Sequence, residues 1–319
     1  VHVWNGLSEI PEDIGRSVVT LGNFDGVHRG HRAVLAQVAE QASKRDAISV
    51  AVTFDPHPVA VLHPERAPRM LTSLRQRLAL LDGAGIDAVL VLEFTTEFAQ
   101  WTPEDFAVSV FVDALHASVV VVGEDTRFGV RNSGDVETLR RVGVEHDVEV
   151  VALTDLGDGA RWSSSMVRSH LGEGDVEAAA AVLGRPHKVT GTVVHGDHRG
   201  RELGFPTANL SQDVEGLIPA DGVYAGWLVR LDLPDGAPDR VLPAAISIGT
   251  NPTFEGTQRR VEGYVLDRAD LDLYGEQVSY ELVRRLRPTV KYEGIEALIE
   301  QMTADVQQCR EILAVIVPS

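Results

Sequence analysis

Cysteine is nearly absent from this chain. Cys309 is the single example in 319 residues, which excludes an intrachain disulfide and any zinc site built from cysteines. It reads as a small buried side chain on the last helix. Long hydrophobic runs are missing as well, since no segment approaches the roughly 18 to 20 continuous apolar residues of a membrane span. The opening VHVWNGLSEIPEDIG lacks the basic start and apolar centre of a secretory leader, so a cytoplasmic protein is expected. There is no excess of positive charge either. Lys and Arg number 29 against 47 Asp and Glu, and the formal charge of −18 repels polyanions. The expectation is a protein with small-molecule substrates and no nucleic-acid or membrane partner. A nucleotide is not excluded, because aligned amides and a few local cations hold a phosphate whatever the net charge. Internal repeats, low-complexity tracts and a Walker-type G-K-[ST] loop are also lacking.

What is present is an ordinary globular composition, 44% hydrophobic and 24% charged, in a chain long enough for two domains. In the first half SVVTLG (17–22), ISVAVTF (48–54), AVLVLEF (88–94), SVVVVG (118–123) and VEVVALT (148–154) are β-branched and apolar on both faces, as buried parallel strands require. Helical patterns alternate with them over 31–45, 72–82, 103–115 and 134–146. Thr72 is placed to cap the second helix, and Pro103 after Thr102 suits the start of the third. The class is α/β, a doubly wound parallel sheet. Two further helices, about 164–171 and 175–183, stop at Gly184 and Pro186.

After Pro186 the texture changes. Short strands separated by glycine, proline and aspartate turns, with no helix between them, predict an antiparallel barrel. The final segment, 294–316, carries Ile295, Leu298, Ile299, Met302, Val306, Cys309 and Ile312 at helical spacing, a stripe expected to lie on the barrel. The domains are thus expected at 1–186 and 187–319.

One string stands out. GNFDGVHRGH (22–31) joins the first strand to the first helix and holds two of the chain's 11 histidines. Ligands of open parallel sheets bind where strands end at their carboxyl side, so the first helix points its N-terminus at that crevice. Gly26 and Gly30 are read as backbone freedom for a tight turn, and the free first-turn amides favour an anion. Imidazole N–H groups suit phosphate oxygens. Taken alone, the H-x-G-H string fits equally a loop histidine pair or half of a metal site.

This string, TFDPHP (53–58), VVVGEDTRFG (120–129) and RWSSSMVR (161–168) occur in the order found in the adenylyltransferase half of prokaryotic FAD synthetases. LGRPHKVTGTVVHGDHRGRELGFPTANL (183–210), IPADGVYAGW (218–227), SIGTNPTF (247–254), VEGYVLD (261–267) and DLYGEQV (272–278) resemble the riboflavin kinase half. The resemblance covers essentially the whole chain and implies a nucleotidyltransferase-type sheet followed by a six-stranded barrel with a terminal helix. It also implies two reactions: riboflavin plus ATP to FMN, then FMN plus ATP to FAD and pyrophosphate. ATP is the co-substrate and Mg2+ the implied cofactor.

Site residues follow from the same resemblance. For adenylylation it implies His28 and His31 as catalytic, with Asn23, Asp125, Arg161, Ser164 and Ser165 on the nucleotide. Phe54, His57 and Phe128 are implied to line the flavin. For phosphorylation it implies Glu262 as base, Gly196, Arg199, Gly200, Gly204 and Pro206 around the nucleotide, and Thr207 and Asn209 as nucleotide and metal ligands. Tyr292, in the 285–294 segment read as a lid, is expected on the flavin. Two positions depart from the pattern. Thr126 replaces an aromatic, and Gly263 replaces a residue with a side chain, which is expected to loosen the strand around Glu262. H-x-G-H does not name the adenylyl acceptor, so the alternatives are a riboflavin kinase whose N-terminal half has a different adenylyl acceptor or a lost activity, and a non-catalytic flavin sensor or carrier. Weak self-association is compatible with either reading.

Overall fold

A computed structural model describes residues 1–154, 161–196, 204–253, 256–290, 292–316 and 318, without the side chains of 251–253 and 256–258. It contains two compact units, Val1–Ser163 and Ser164–Ser319. Among the described residues no helix is long and apolar enough to cross a membrane.

The first unit is built on six parallel strands: β1 (His2–Asn5), β2 (Ser17–Leu21), β3 (Ile48–Phe54), β4 (Ala88–Leu92), β5 (Ala117–Gly123) and β6 (Glu149–Leu153). They lie in the order β1-β4-β3-β2-β5-β6. The apolar runs predict five of them. The sixth, β1, is a four-residue edge strand, too short for its alternation to register. β2 and β4 are buried along their whole length, as the two-faced apolar runs require. Successive residues feed opposite faces: Val19, Val50, Val52 and Leu90 enter one core, while Val18, Ala51 and Val89 enter the other.

Helices α1 (Arg29–Arg45), α2 (Pro58–Leu62), α3 (Leu74–Asp82), α4 (Pro103–Phe106) and α5 (Val136–His146) link the strands. α1 buries Val34, Leu35, Val38 and Ala42, one stripe at helical spacing, and ends at left-handed Asp46. Thr102 caps α4 with Pro103 in its first turn, as expected. That helix then continues over Ala107–Ala114 with π-type bonding, the Leu115 N–H reaching Val110 O at 3.1 Å. The expected Thr72 cap is corrected. Ser73 caps α3 instead, in a reciprocal box with Gln76, because the Thr72 hydroxyl is engaged by Asp25 and Gly26.

The second unit begins with α6 (Ser164–Glu173) and α7 (Val176–Leu183). Arg285 holds the Glu173 carbonyl at 2.9 Å and Arg284 holds Glu177, so both helices are fastened to the barrel. Its strands are β7 (His187–Val194), β8 (Thr207–Leu210), β9 (Gly222–Arg230), β10 (Val241–Thr253), β11 (Gly256–Val265) and β12 (Gln277–Arg287), closed in the order β10-β11-β8-β7-β12-β9. All pairings are antiparallel.

The terminal helix α8 (Ile295–Leu313) packs Cys309 and Leu313, with Val306 and Ile312, on Trp227, Val229 and Leu266. The expected stripe is corrected at its start, for Ile295 is 64% exposed. Buried Asp305 is gripped in a fork by Arg287 where the helix meets the wall, and the first turns lie outside that contact. Burial pushes the Cys309 thiol up to about 12, with Asp305 adding to it, so the single thiol is a core group.

Candidate active sites

In the first unit the strand order reverses at β2: the chain steps outward to β3 and β4, then returns to β5 on the other side. The crevice at that reversal is the ligand position of such sheets. β2 ends at Leu21, and α1 begins at Arg29 with His28 as its N-cap. Between them Phe24 (φ 48°), Gly26 (φ 79°) and Val27 (φ 39°) are left-handed, so two of the three lack the glycine that this conformation favours. Gly30 differs from expectation. It lies buried in the first turn of α1 and takes no part in the left-handed bend.

The two imidazoles are stacked, centroids 3.6 Å apart at 20°. The His31 N–H donates to His28 Nδ1 at 3.3 Å, satisfying one of the helix's first amides. With Nδ1 used as an acceptor, the neutral His28 ring carries its proton on Nε2. His31 keeps part of its surface open, but its Nδ1 is sealed and has no hydrogen-bond partner among the described residues. Burial, then His28, then Arg161 hold His31 well below the usual imidazole value, so it is neutral at neutral pH.

Arg161 reaches this place with an ion pair to Asp125, and Trp162 lies under the Arg29 guanidinium at 5.7 Å. The structure therefore brings His28, His31, Arg161 and Asp125 together in one unit. Ser164 and Ser165 open α6 in the other unit. Asn23 contributes its carbonyl, which accepts from Thr53 and Arg77. His57 caps α2, its Nδ1 taking the Val59 N–H at 3.2 Å. Phe54 packs on Phe94, Phe98 and Phe106, while Phe128 is 5% exposed and lies against Phe106, so both belong to one aromatic cluster. Thr126 closes a turn, its N–H bonded to Gly123 O.

The barrel builds its constellation by register. β11 pairs with β8 so that Glu262 faces Asn209, Gly263 faces Ala208 and Tyr264 faces Thr207. Opposed residues and those two apart along a strand share a face, which puts Glu262, Asn209 and Thr207 together. Their partial burial, against buried Ala208, Gly263 and Val265, marks it as the outer face of the wall. The Thr207 hydroxyl donates to Glu262 Oε2 at 3.1 Å, and Asn209 Nδ2 lies 3.3 Å from Thr207 Oγ1. Gly196 lies close to the site, since a Cβ there would stand 2.5 Å from Asn209 Nδ2 and displace that amide. Gly204 is left-handed at φ 88°. Arg199 and Gly200, together with Arg201, lie outside the described residues.

A small solvent-open cleft lies beside Thr207, lined also by Pro206, Ala208, Gly263, Val265, Arg268 and Tyr274. Tyr292 lies elsewhere, its ring 5.7 Å from the Arg287 guanidinium. The departure at Gly263 is also corrected: the strand is not loosened there. The Tyr280 ring fills the space, and a Cβ on residue 263 would come within 2.4 Å of it.

Sequence reasoning passed over Asp25, Arg77 and Tyr280, all buried beside the two constellations. Arg77 had a signal: it shares the apolar face of α3 with Leu74, Leu78 and Leu81, where a cation is out of place. Among the described residues no group of three or more His, Cys, Asp or Glu is arranged for a metal.

Comparison with known proteins agrees with this division. A family model described as FAD synthetase matches residues 10–166, and one described as riboflavin kinase matches 183–313. The bifunctional riboflavin kinase/FMN adenylyltransferase of Escherichia coli strain K12 is 35% identical over 316 residues, 99% of this chain and 98% of its own length. Its counterpart from Pseudomonas fluorescens is 36% identical, covering 97% of each. A crystal structure from Streptococcus pneumoniae, described as a macrolide-efflux protein, superposes with a TM-score of 0.85 at 30% identity over 97% of this chain and 98% of that one.

Proposed function

Because the chain belongs to the family of bifunctional riboflavin kinases/FMN adenylyltransferases, we propose which of its residues perform each reaction. The C-terminal riboflavin kinase domain transfers the ATP γ-phosphoryl group to riboflavin. The N-terminal FAD synthetase domain joins the resulting FMN to AMP from a second ATP, with release of pyrophosphate. The functional division is placed between 186 and 187. Supporting the residue assignment is one observation: each unit holds a compact polar constellation on the positions that the resemblance names.

In adenylylation an FMN phosphate oxygen bonds to the α-phosphorus as the bond to pyrophosphate breaks. The nucleophile is already ionised, so no strong base is needed. Alignment of two anions and stabilisation of charge on the departing group are what remain. His28, its Nε2 proton fixed by the N-cap bond, donates to a phosphate oxygen, and neutral His31 stacks beside it without adding repulsion toward Arg161. Arg161 exchanges Asp125 for phosphate. Asn23 shapes the turn. Ser164 and Ser165 are assigned to the nucleotide on the resemblance alone, as are Phe54, His57 and Phe128 to the flavin.

In phosphorylation the acceptor is a neutral ribityl hydroxyl, a poor nucleophile, so a base within hydrogen-bond reach matters. Glu262 takes that proton, and Thr207 orients its carboxylate. Thr207 and Asn209 offer the hard oxygens that suit Mg2+ with retained waters, and their place beside Glu262 fits that ion. When bound, Mg2+ neutralises charge shared between ATP phosphates. Pro206 and Thr207 line the neighbouring cleft, which supports putting the nucleotide there with Gly196, Arg199, Gly200 and Gly204 around it. Tyr292 is kept as a flavin contact by resemblance.

The test is direct. Protein is incubated with riboflavin, ATP and magnesium, and the flavins are separated by chromatography. Glu262→Ala should form no FMN from riboflavin yet convert added FMN to FAD, and His28→Ala should do the reverse. FMN formation undiminished in Glu262→Ala would remove Glu262 as the base.

A further inference from the structure

Among the described residues Arg77 is the largest fully buried side chain, 1% exposed. A guanidinium in a core carries a heavy desolvation cost unless its fork is used. Burial lowers its proton affinity, with Asp55 and Asp25 opposing that effect. Its Nη1 donates to Asn23 O at 2.8 Å and lies 3.4 Å from Thr53 Oγ1, and its Nη2 lies 3.5 Å from Asp55 Oδ1. Thr53 in turn donates to Asn23 O at 3.3 Å. One guanidinium on α3 therefore touches two separate loops at the carboxyl end of the sheet: the histidine-bearing turn after β2 and the exit from β3 toward His57.

A second strap of opposite sign runs the other way. Buried Asp25, from the turn, accepts the Leu71 N–H at 2.9 Å, the Thr72 N–H at 3.1 Å and the Thr72 hydroxyl at 3.2 Å. Thr72 Oγ1 accepts the Gly26 N–H. The turn thus grips the lead-in of α3 with a carboxylate, while α3 grips the turn with a cation. A loop with left-handed Phe24 and Val27 does not keep that shape without such ties.

We propose that Arg77 is a positioning residue for adenylylation, holding the His28–His31 turn and the β3 exit in one fixed register. This rests on the assignment of adenylylation to that turn. Lysine, a single point donor, cannot span the carbonyl and the carboxylate together. Misplacement of a catalytic group by about 1 Å costs on the order of 100-fold in rate.

The experiment uses the full chain. Arg77→Lys should lower kcat for FMN adenylylation about 10- to 100-fold, with KM for ATP changed less than about threefold and riboflavin phosphorylation unchanged. A purely structural arginine would lower the melting temperature but leave kcat, measured well below melting, within about twofold of the parent. That result overturns the proposal. Should Arg77→Lys not fold, Asp55→Ala removes one arm at a half-exposed carboxylate. It should lower the same kcat in the same direction, and an unchanged kcat in the folded protein is equally fatal. His28→Ala is assayed beside them. If it leaves adenylylation intact, the siting of the reaction at the turn fails, independently of the Arg77 result.

Discussion

His28 and His31 are identical side chains that the fold makes different. His28 spends Nδ1 on a backbone amide, whereas His31 seals Nδ1 and is kept neutral chiefly by burial. The second effect has a measurable sign. A base with depressed folded affinity leaves the unfolded chain binding more protons between the two values, so stability rises with pH across that window. The contribution is complete above the unfolded value near 6.5 and is lost as pH falls toward the lower folded value. The parent protein should therefore lose more melting temperature between about pH 7.5 and about pH 5.5 than His31→Asn does. Equal losses in a calorimetric scan would mean that His31 is not held neutral.

Among the elements, β8, β11 and β12 act as one device. Tyr280 on β12 crosses to donate its hydroxyl to Ala208 O at 2.6 Å, between Thr207 and Asn209. Burial, followed by the Glu262 charge, raises this phenol far above its ordinary value and keeps it a donor. Gly263 provides the room. Gly263→Ala would drive a Cβ against the Tyr280 ring and should cost about 1–3 kcal/mol as overpacking. The expected readings are a melting temperature lowered by ~2–4 °C per kcal/mol and weakened riboflavin phosphorylation, with FMN adenylylation retained. An unchanged melt would show that the ring moves aside freely.

For the molecule as a whole, the FAD synthetase match over 10–166 and the riboflavin kinase match over 183–313 do not overlap. Glu262→Ala and His28→Ala proteins, each blocked at a different step, should together convert riboflavin to FAD when mixed, because FMN from one is substrate for the other. No FAD from the mixture, detected by chromatography, would mean that FMN is not exchanged between molecules. Most of the architecture behind this prediction is readable locally. β-branched runs mark five parallel strands, while turn residues and short alternating runs mark the barrel. Edge strand β1 and the short β8 are harder to read, because four residues carry too little periodicity. The exposed start of α8 has another cause: its apolar spacing is helical throughout, but only its later turns meet the wall, where apolar packing and the ion pairs of Asp305 and Arg310 lie.

By itself the sequence determined the order of elements, the two-part plan and the strings that carry chemistry, because period and motif are properties of neighbouring residues. Tertiary structure alone decided that Thr72 serves Asp25 rather than a helix, that Arg77 lies beneath Asn23, and that Thr207 meets Glu262. These partners stand 47, 54 and 55 residues apart along the chain. Such pairings are set by register and by the need of a buried charge for a partner, and neither quantity exists until the chain has closed on itself.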